Sequence, residues 1–216
     1  MADVWVKVLT PANSYALLTL AELKAMFNLS PTDTSEDALL QIWIDQYSDV
    51  VATMCNRVFA YETVEETWRA ELPPFDRARL FLTRYPVADV DITAVESPRG
   101  SMIDPTAYEV ENETGKLRID GDAWTEPVMV TYSGGYHLPD EAPPALKAAT
   151  GLLIQAARLQ MRMGMTSGMR QIAHRESRVT FFDPVQMLGK AGVAGPLEAA
   201  TETVNALLYK YMRFYV

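Results

Sequence analysis

One cysteine, two histidines and no long apolar run mark what this 216-residue sequence lacks. A lone Cys55 cannot close an internal disulfide, so no disulfide framework holds the chain. His137 and His174 belong to no His-x3-His or Cys-x2-Cys spacing, so zinc has no ligand set, and neither metal nor cofactor is expected. No stretch reaches the roughly 18 apolar residues that a membrane span needs. The opening Met1–Lys7 also lacks a basic segment followed by an apolar run. The expectation is a soluble protein made inside the cell, with no membrane partner; the glycosylation-type triplets at Asn28 and Asn112 then read as chance. Positive charge is scarce, with 19 Lys+Arg against 28 Asp+Glu and a net of −9. Such a surface repels phosphates and argues against general binding to free nucleic acid. What is present is apolar material: 49% hydrophobic residues can bury a core, which excludes wholesale disorder.

Motifs that carry chemistry are missing too. Leu188-Gly189-Lys190-Ala191 is no phosphate loop, because residue 184 is Pro and Ala191 stands where Ser or Thr is needed. Ser133-Gly134-Gly135 lacks the flanking glycine of a nucleophile elbow. The acidic pairs Glu65-Glu66, Glu111/Glu113 and Asp120/Asp122 read as solvated strand edges and turns rather than cation ligands. Cys55 sits near the end of an amphipathic stretch, where a lone cysteine serves as a small core residue. No catalytic constellation emerges, so the chain is not expected to be an enzyme.

The elements run helix, strand, helix. Thr19-Leu20-Ala21-Glu22 is a capping box that opens a short helix to about Phe27. Thr34 or Ser35 caps a longer one, with Leu39, Ile42, Trp43, Tyr47, Val50, Val51, Met54 and Val58 predicted as its buried stripe. From about residue 60 to 136 the period changes to that of strands. The runs 108–111 and 116–119 flank a four-residue link ending in Gly115, a hairpin signal, and 128–132 is a last strand. Helix returns after Pro143-Pro144, to about Gly164. Residues 178–182 fit a short strand or an extended arm, and a final helix starts near Leu197.

Charge is unevenly spread. Residues 1–142 hold 10 Lys+Arg and 24 Asp+Glu, whereas 143–182 hold six basic residues against Glu176 alone. The basic segment is either a solvated helix face or a positive surface that meets nucleic acid or an acidic neighbour. The tail is aromatic: Tyr209, Tyr211, Phe214 and Tyr215, with Leu207, Leu208 and Met212, behind a glycine-rich joint. It either docks on its own domain or meets another protein, since aromatic and Met side chains are enriched where partners meet.

This order of elements resembles the head–tail connector (adaptor) proteins of tailed bacteriophages and related gene transfer agents. The resemblance rests on Leu18–Lys24, Asn56-Arg57-Val58-Phe59, Tyr85-Pro86-Val87, Tyr108-Glu109-Val110 with Gly115-Lys116-Leu117, and above all Val128–Tyr136 leading to Pro139 and Pro143. It covers about residues 20–160 and loosens after Gly164. It implies an α+β, mostly α fold: a small helical bundle with an antiparallel β insertion between the second and third helices and a C-terminal extension helix. The parts would be 1–59 (arm and helices), 60–136 (β insertion), 137–164 (helix completing the bundle) and 165–216 (arm and docking helix). It also implies a virion structural role at the neck, assembled in the host cytoplasm. Such proteins form a ring, typically of twelve subunits, beneath the portal; it extends the DNA channel and presents a surface to a tail or stopper protein. DNA would pass through without sequence-specific binding. Leu207, Leu208, Tyr209, Tyr211, Met212, Phe214 and Tyr215 would dock on the portal. Arg158, Arg162, Arg170, Arg175 and Arg178 would face the next subunit or the channel. Two other readings stand beside this one, a nucleic-acid-binding module using residues 147–178 and a small hydrolase using carboxylates and His137.

Overall fold

The computed structural model describes residues 3–69, 79–119, 124–166, 171–174, 177–180 and 196–213. The chain divides into two compact units, one of residues 1–17, 48–142 and 211–216, the other of 18–47 and 143–210.

The first unit is built of strands. β1 (Asp3–Thr10), β2 (Glu62–Arg69), β7 (Val128–Gly134) and β4 (Ile92–Glu96) form a four-stranded antiparallel sheet in that order. β3 (Arg79–Phe81), β6 (Lys116–Ile119) and β5 (Tyr108–Glu111) form a three-stranded one. Side chains alternate along β2 and β7, so Val64 and Trp68 point inward opposite Tyr132 and Val128. They join Leu80 and Leu117 of the smaller sheet in one buried core. Burying each such side chain contributes about 1.5–3 kcal/mol. The hairpin β5–β6 turns through Gly115, whose φ of +64° suits glycine.

The expected mostly α bundle with a β insertion is therefore corrected. Among the described residues, four helices share the chain with nine strands, seven of them in these two antiparallel sheets and two in a separate ribbon. The largest difference lies at the start of the chain. In place of an arm, residues 3–10 form a strand: Val4, Val6 and Val8 alternate with Trp5 and Lys7, and they pair with β2 from Asp3↔Arg69 to Thr10↔Thr63. A period of two is easily missed over so few residues.

The second unit is helical: α1 (Leu20–Met26), the first part of α2 (Asp37–Cys55), α3 (Pro144–Thr166) and α4 (Pro196–Leu208). The capping box at α1 is present: the Glu22 N–H donates to Thr19 Oγ1 at 3.1 Å and the Thr19 N–H to the Glu22 carboxylate at 2.9 Å. Leu23, Leu40, Ile44, Leu146, Ile154 and Val204 are fully buried. The stripe on α2 is rotated from the expected one. Leu40, Ile44, Ser48, Val51 and Cys55 are buried, whereas Leu39 and Ile42 are exposed. Ser48 is tolerated inside because its hydroxyl accepts the Leu17 N–H at 3.0 Å. α1 and α2 both end on a left-handed asparagine, Asn28 and Asn56. In each case the next N–H reaches back to satisfy a helix carbonyl: Leu29 to Lys24 at 2.9 Å and Arg57 to Ala52 at 3.2 Å. Between α3 and α4 lies an antiparallel ribbon, β8 (Gln171–His174) with β9 (Ser177–Thr180).

Candidate functional site

Cys55 is buried, and desolvation pushes its thiol up to about 11, with the nearby Arg57 charge opposing the shift. Such a sulfur is no thiolate nucleophile at neutral pH. The His137 ring stacks on Tyr61 with centroids 4.3 Å apart, and its backbone N–H donates to Glu141 at 3.3 Å. Both rings border a cleft of about 260 Å³ whose other walls include Thr10, Asn13 and Tyr136. Tyr61 turns its hydroxyl to Asp91 at 3.3 Å. Among the described residues no three His, Cys, Asp or Glu side chains converge as a metal site.

A polar network that sequence reasoning missed lies inside the β unit. Glu66 Oε1 accepts the Thr83 N–H at 2.9 Å, the Thr83 hydroxyl, and the Tyr132 hydroxyl at 2.5 Å. Tyr132 O accepts the Arg84 N–H at 2.9 Å. Arg84 pairs with Glu62 at 2.7 Å, and Glu62 also accepts the Tyr15 hydroxyl at 2.5 Å. Burial, then the Glu66 charge, raise the Tyr132 phenol well above its ordinary value. The bond to Glu62, reinforced by burial, raises that of Tyr15. These carboxylates are committed to fastening residues 83–84 to the sheet, so their chemistry is structural. The overlooked signal was periodicity: Glu62 and Glu66 alternate in step with Val64 and Trp68, on the inward face.

The candidate interface begins with the tail. Leu208 is fully buried and Leu207 half-buried on α4, which packs against α3. A short 3-10 turn, Tyr209–Tyr211, follows. Tyr209 is 70% exposed, and Tyr211 meets the Phe59 ring edge-on with centroids 6.4 Å apart. Met212 is half-buried. The Arg213 N–H donates to the Cys55 carbonyl at 2.9 Å, and its guanidinium reaches the Phe81 carbonyl at 3.1 Å. Beside this anchorage, Arg57 lies over the rings of Tyr85, 3.4 Å from the centroid, and Phe59, at 4.7 Å, and donates to the Tyr85 carbonyl. Desolvation lowers its pKa. Phe214 and Tyr215 fall outside the described residues.

Two residues of the basic segment are engaged within its own unit. Lys147 pairs with Glu22 at 2.6 Å, and Arg158 with Glu36 at 2.5 Å while lying over the Phe27 ring. Arg162 is exposed on α3, and Arg178 stands opposite Ala173 in the β8–β9 ribbon. Arg170 and Arg175 fall outside the described residues. By unit, the β unit has 10 Lys+Arg and 19 Asp+Glu, and the helical unit has nine of each. The whole excess of negative charge belongs to the β unit.

No protein-family model and no curated protein matches the chain. Solved structures do. The chain superposes on a chain in the neck of an empty gene transfer agent particle with a TM-score of 0.57, at 16% identity, covering 98% of this chain and 97% of that one. A chain in the virion of the native gene transfer agent particle gives 0.55 at 15% identity, covering 98% and 96%. One in the neck of the native particle gives 0.53 at 15% identity, covering 98% and 97%. At these identities the likeness is one of fold, and it spans both units.

Proposed function

We propose that the chain is a virion structural protein of the neck, a head–tail connector that forms a ring beneath a portal and carries the DNA channel toward the tail. The observation that carries this reading is the near full-length likeness to chains of gene transfer agent necks, from β1 through α4. Inert Cys55 and a carboxylate network spent on holding a loop favour a structural role over the hydrolase. Lys147 and Arg158, engaged by Glu22 and Glu36, weaken the nucleic-acid-binding module. The partners are a portal protein, neighbouring copies in a ring of about twelve, and a tail or stopper protein, with DNA passing through unread. The protein resides in the virion and assembles in the host cytoplasm.

Portal docking falls to the tail, and there, among the described residues, Tyr209 is the exposed aromatic side chain, with Leu207 and Met212 half-buried beside it in sequence. Removing residues 195–216 would strip fully buried Val204 and Leu208, so truncation tests folding as well as docking. A point variant separates the two. Electron microscopy of the purified chain mixed with portal should show a ring on the portal, and Tyr209→Ala should weaken that binding while leaving the thermal midpoint within about 2 °C. Wild-type protein that forms no complex with portal refutes the reading.

A further inference from the structure

The four-stranded sheet ends in two outer strands that are treated differently. β4 is closed: Thr93 interrupts its register, the Ile103 N–H donates to the Val95 carbonyl at 2.8 Å, and Glu96 bridges to Met102. β1 runs for eight residues, and among the described residues β2 is its one ladder partner in the sheet. Trp5 is 66% exposed on it, and Val8 and Leu9 are exposed beyond. Soluble proteins usually blunt such an edge with charge, proline or cover. Here the single cation, Lys7, is set opposite Glu65. The Arg69 guanidinium lies 5.9 Å from the Trp5 ring centroid, so this end of the sheet already receives a cation.

A second sheet has two strands among the described residues. The ladder of β8 and β9 is complete in itself, from Gln171↔Thr180 to His174↔Ser177, and forms a sheet of two strands. A two-stranded ribbon is marginal in water and gains stability from a third strand. It belongs to a stretch, residues 170–180, with three arginines and one glutamate, whereas β1 belongs to the unit with the net −9.

We propose that the β8–β9 ribbon of one copy pairs along the β1 edge of a second copy, extending its four-stranded sheet. The inference rests on the ring reading above and names the contact that links successive copies. Such pairing is heterologous, with different surfaces meeting at each joint, so repetition leads around a ring instead of stopping at a dimer. Backbone hydrogen bonds of the added strand supply the affinity. The acidic unit of one copy and the arginine-bearing ribbon of the next supply attraction that weakens with salt.

The test uses full-length chains carrying one new cysteine each. Lys7→Cys and Leu9→Cys copies are mixed with Ser177→Cys and Thr180→Cys copies under mild oxidant at pH 8, where buried Cys55 stays protonated. Mixtures should yield disulfide-linked dimers in at least one pairing, at tenfold or greater yield over either variant alone, and the yield should fall with added salt. Links formed by the β1 variants alone would mean that edge meets edge and would overturn the proposal. So would no mixed link at millimolar chain or on portal-bound rings. Rings on portal without mixed links would sink this contact and leave the neck assignment standing. Mixed links from a chain that ignores portal would do the reverse.

Discussion

Arg57 carries a charge into the interior with aromatic faces and a carbonyl, not a carboxylate, as its contacts among the described residues. Replacing it by Ala removes a stacked cation, a hydrogen bond and the methylenes between two rings, and should cost about 2–4 kcal/mol in chemical denaturation. Arg57→Met keeps most of the packing without a buried charge and should cost less than half as much. A loss as large as that of Arg57→Ala would show that the charge itself is required. Tyr132→Phe leaves Glu66 short of one donor and the Arg84 N–H without its acceptor, a loss of about 1–3 kcal/mol. In a double-mutant cycle with Glu66→Gln, that loss should be clearly non-additive. Cys55 adds a pH dependence. Its folded pKa, about 11, lies above its ordinary value, so the folded state holds a proton that the unfolded chain gives up. The sign follows: stability is intact below pH 9 and declines as pH rises toward 11. Cys55→Ala should flatten that decline in thermal melts taken at each pH.

At the scale of elements, the junction between β7 and the segment after α2 depends on a bare backbone. Gly135 has φ of +112°, and a Cβ there would stand 2.3 Å from the Ala60 carbonyl oxygen. Around it the Tyr136 N–H donates to the Phe59 carbonyl at 2.8 Å, and the Tyr61 N–H to the Tyr136 carbonyl at 2.9 Å. Gly135→Ala therefore meets both strain and collision, and should lower stability by about 3 kcal/mol or more, read as lost soluble yield or a lowered denaturation midpoint. That glycines interrupt the chain here is legible from residue types, but not that Phe59–Tyr61 close against them. The Thr19/Glu22 capping box, the Gly115 hairpin and the proline start of α3 are legible too, because each is decided within a few residues of chain. Partnering over long range is not. Nothing near Val4 announces that its pairing strand begins some sixty residues later, and nothing near Leu39 says that Leu40 will face inward instead. For the same reason the sequence reads Glu66 as part of a solvated edge and gives no sign of an inward Glu62. Their donors, Thr83, Arg84, Tyr15 and Tyr132, come from three separate stretches. At the candidate interface the aromatic richness of the tail was plain, but not that Leu208 and Tyr211 would be engaged within the chain.

For the whole molecule, the proposed docking role and a packing role fall on adjacent residues. Leu208→Ala empties a fully buried position and should cost about 2–5 kcal/mol. Tyr209→Ala removes a largely exposed ring and should cost much less stability than Leu208→Ala while weakening partner binding. Equal loss of both properties in both variants would mean that the tail has one undivided function. The polarity of charge belongs to this scale as well: a net −9 concentrated in the β unit and a balanced helical unit give each copy two unlike surfaces. Finally, the β unit is stitched from both extremes of the described chain, with β1 beginning at residue 3 and Arg213 fastened to Cys55 and Phe81. During synthesis that unit cannot be completed until about two hundred residues have followed its first strand, so its ladder can close well before its last anchor. Chains stopped short of Arg213 would lack the anchor, and a finished β unit waits on that residue.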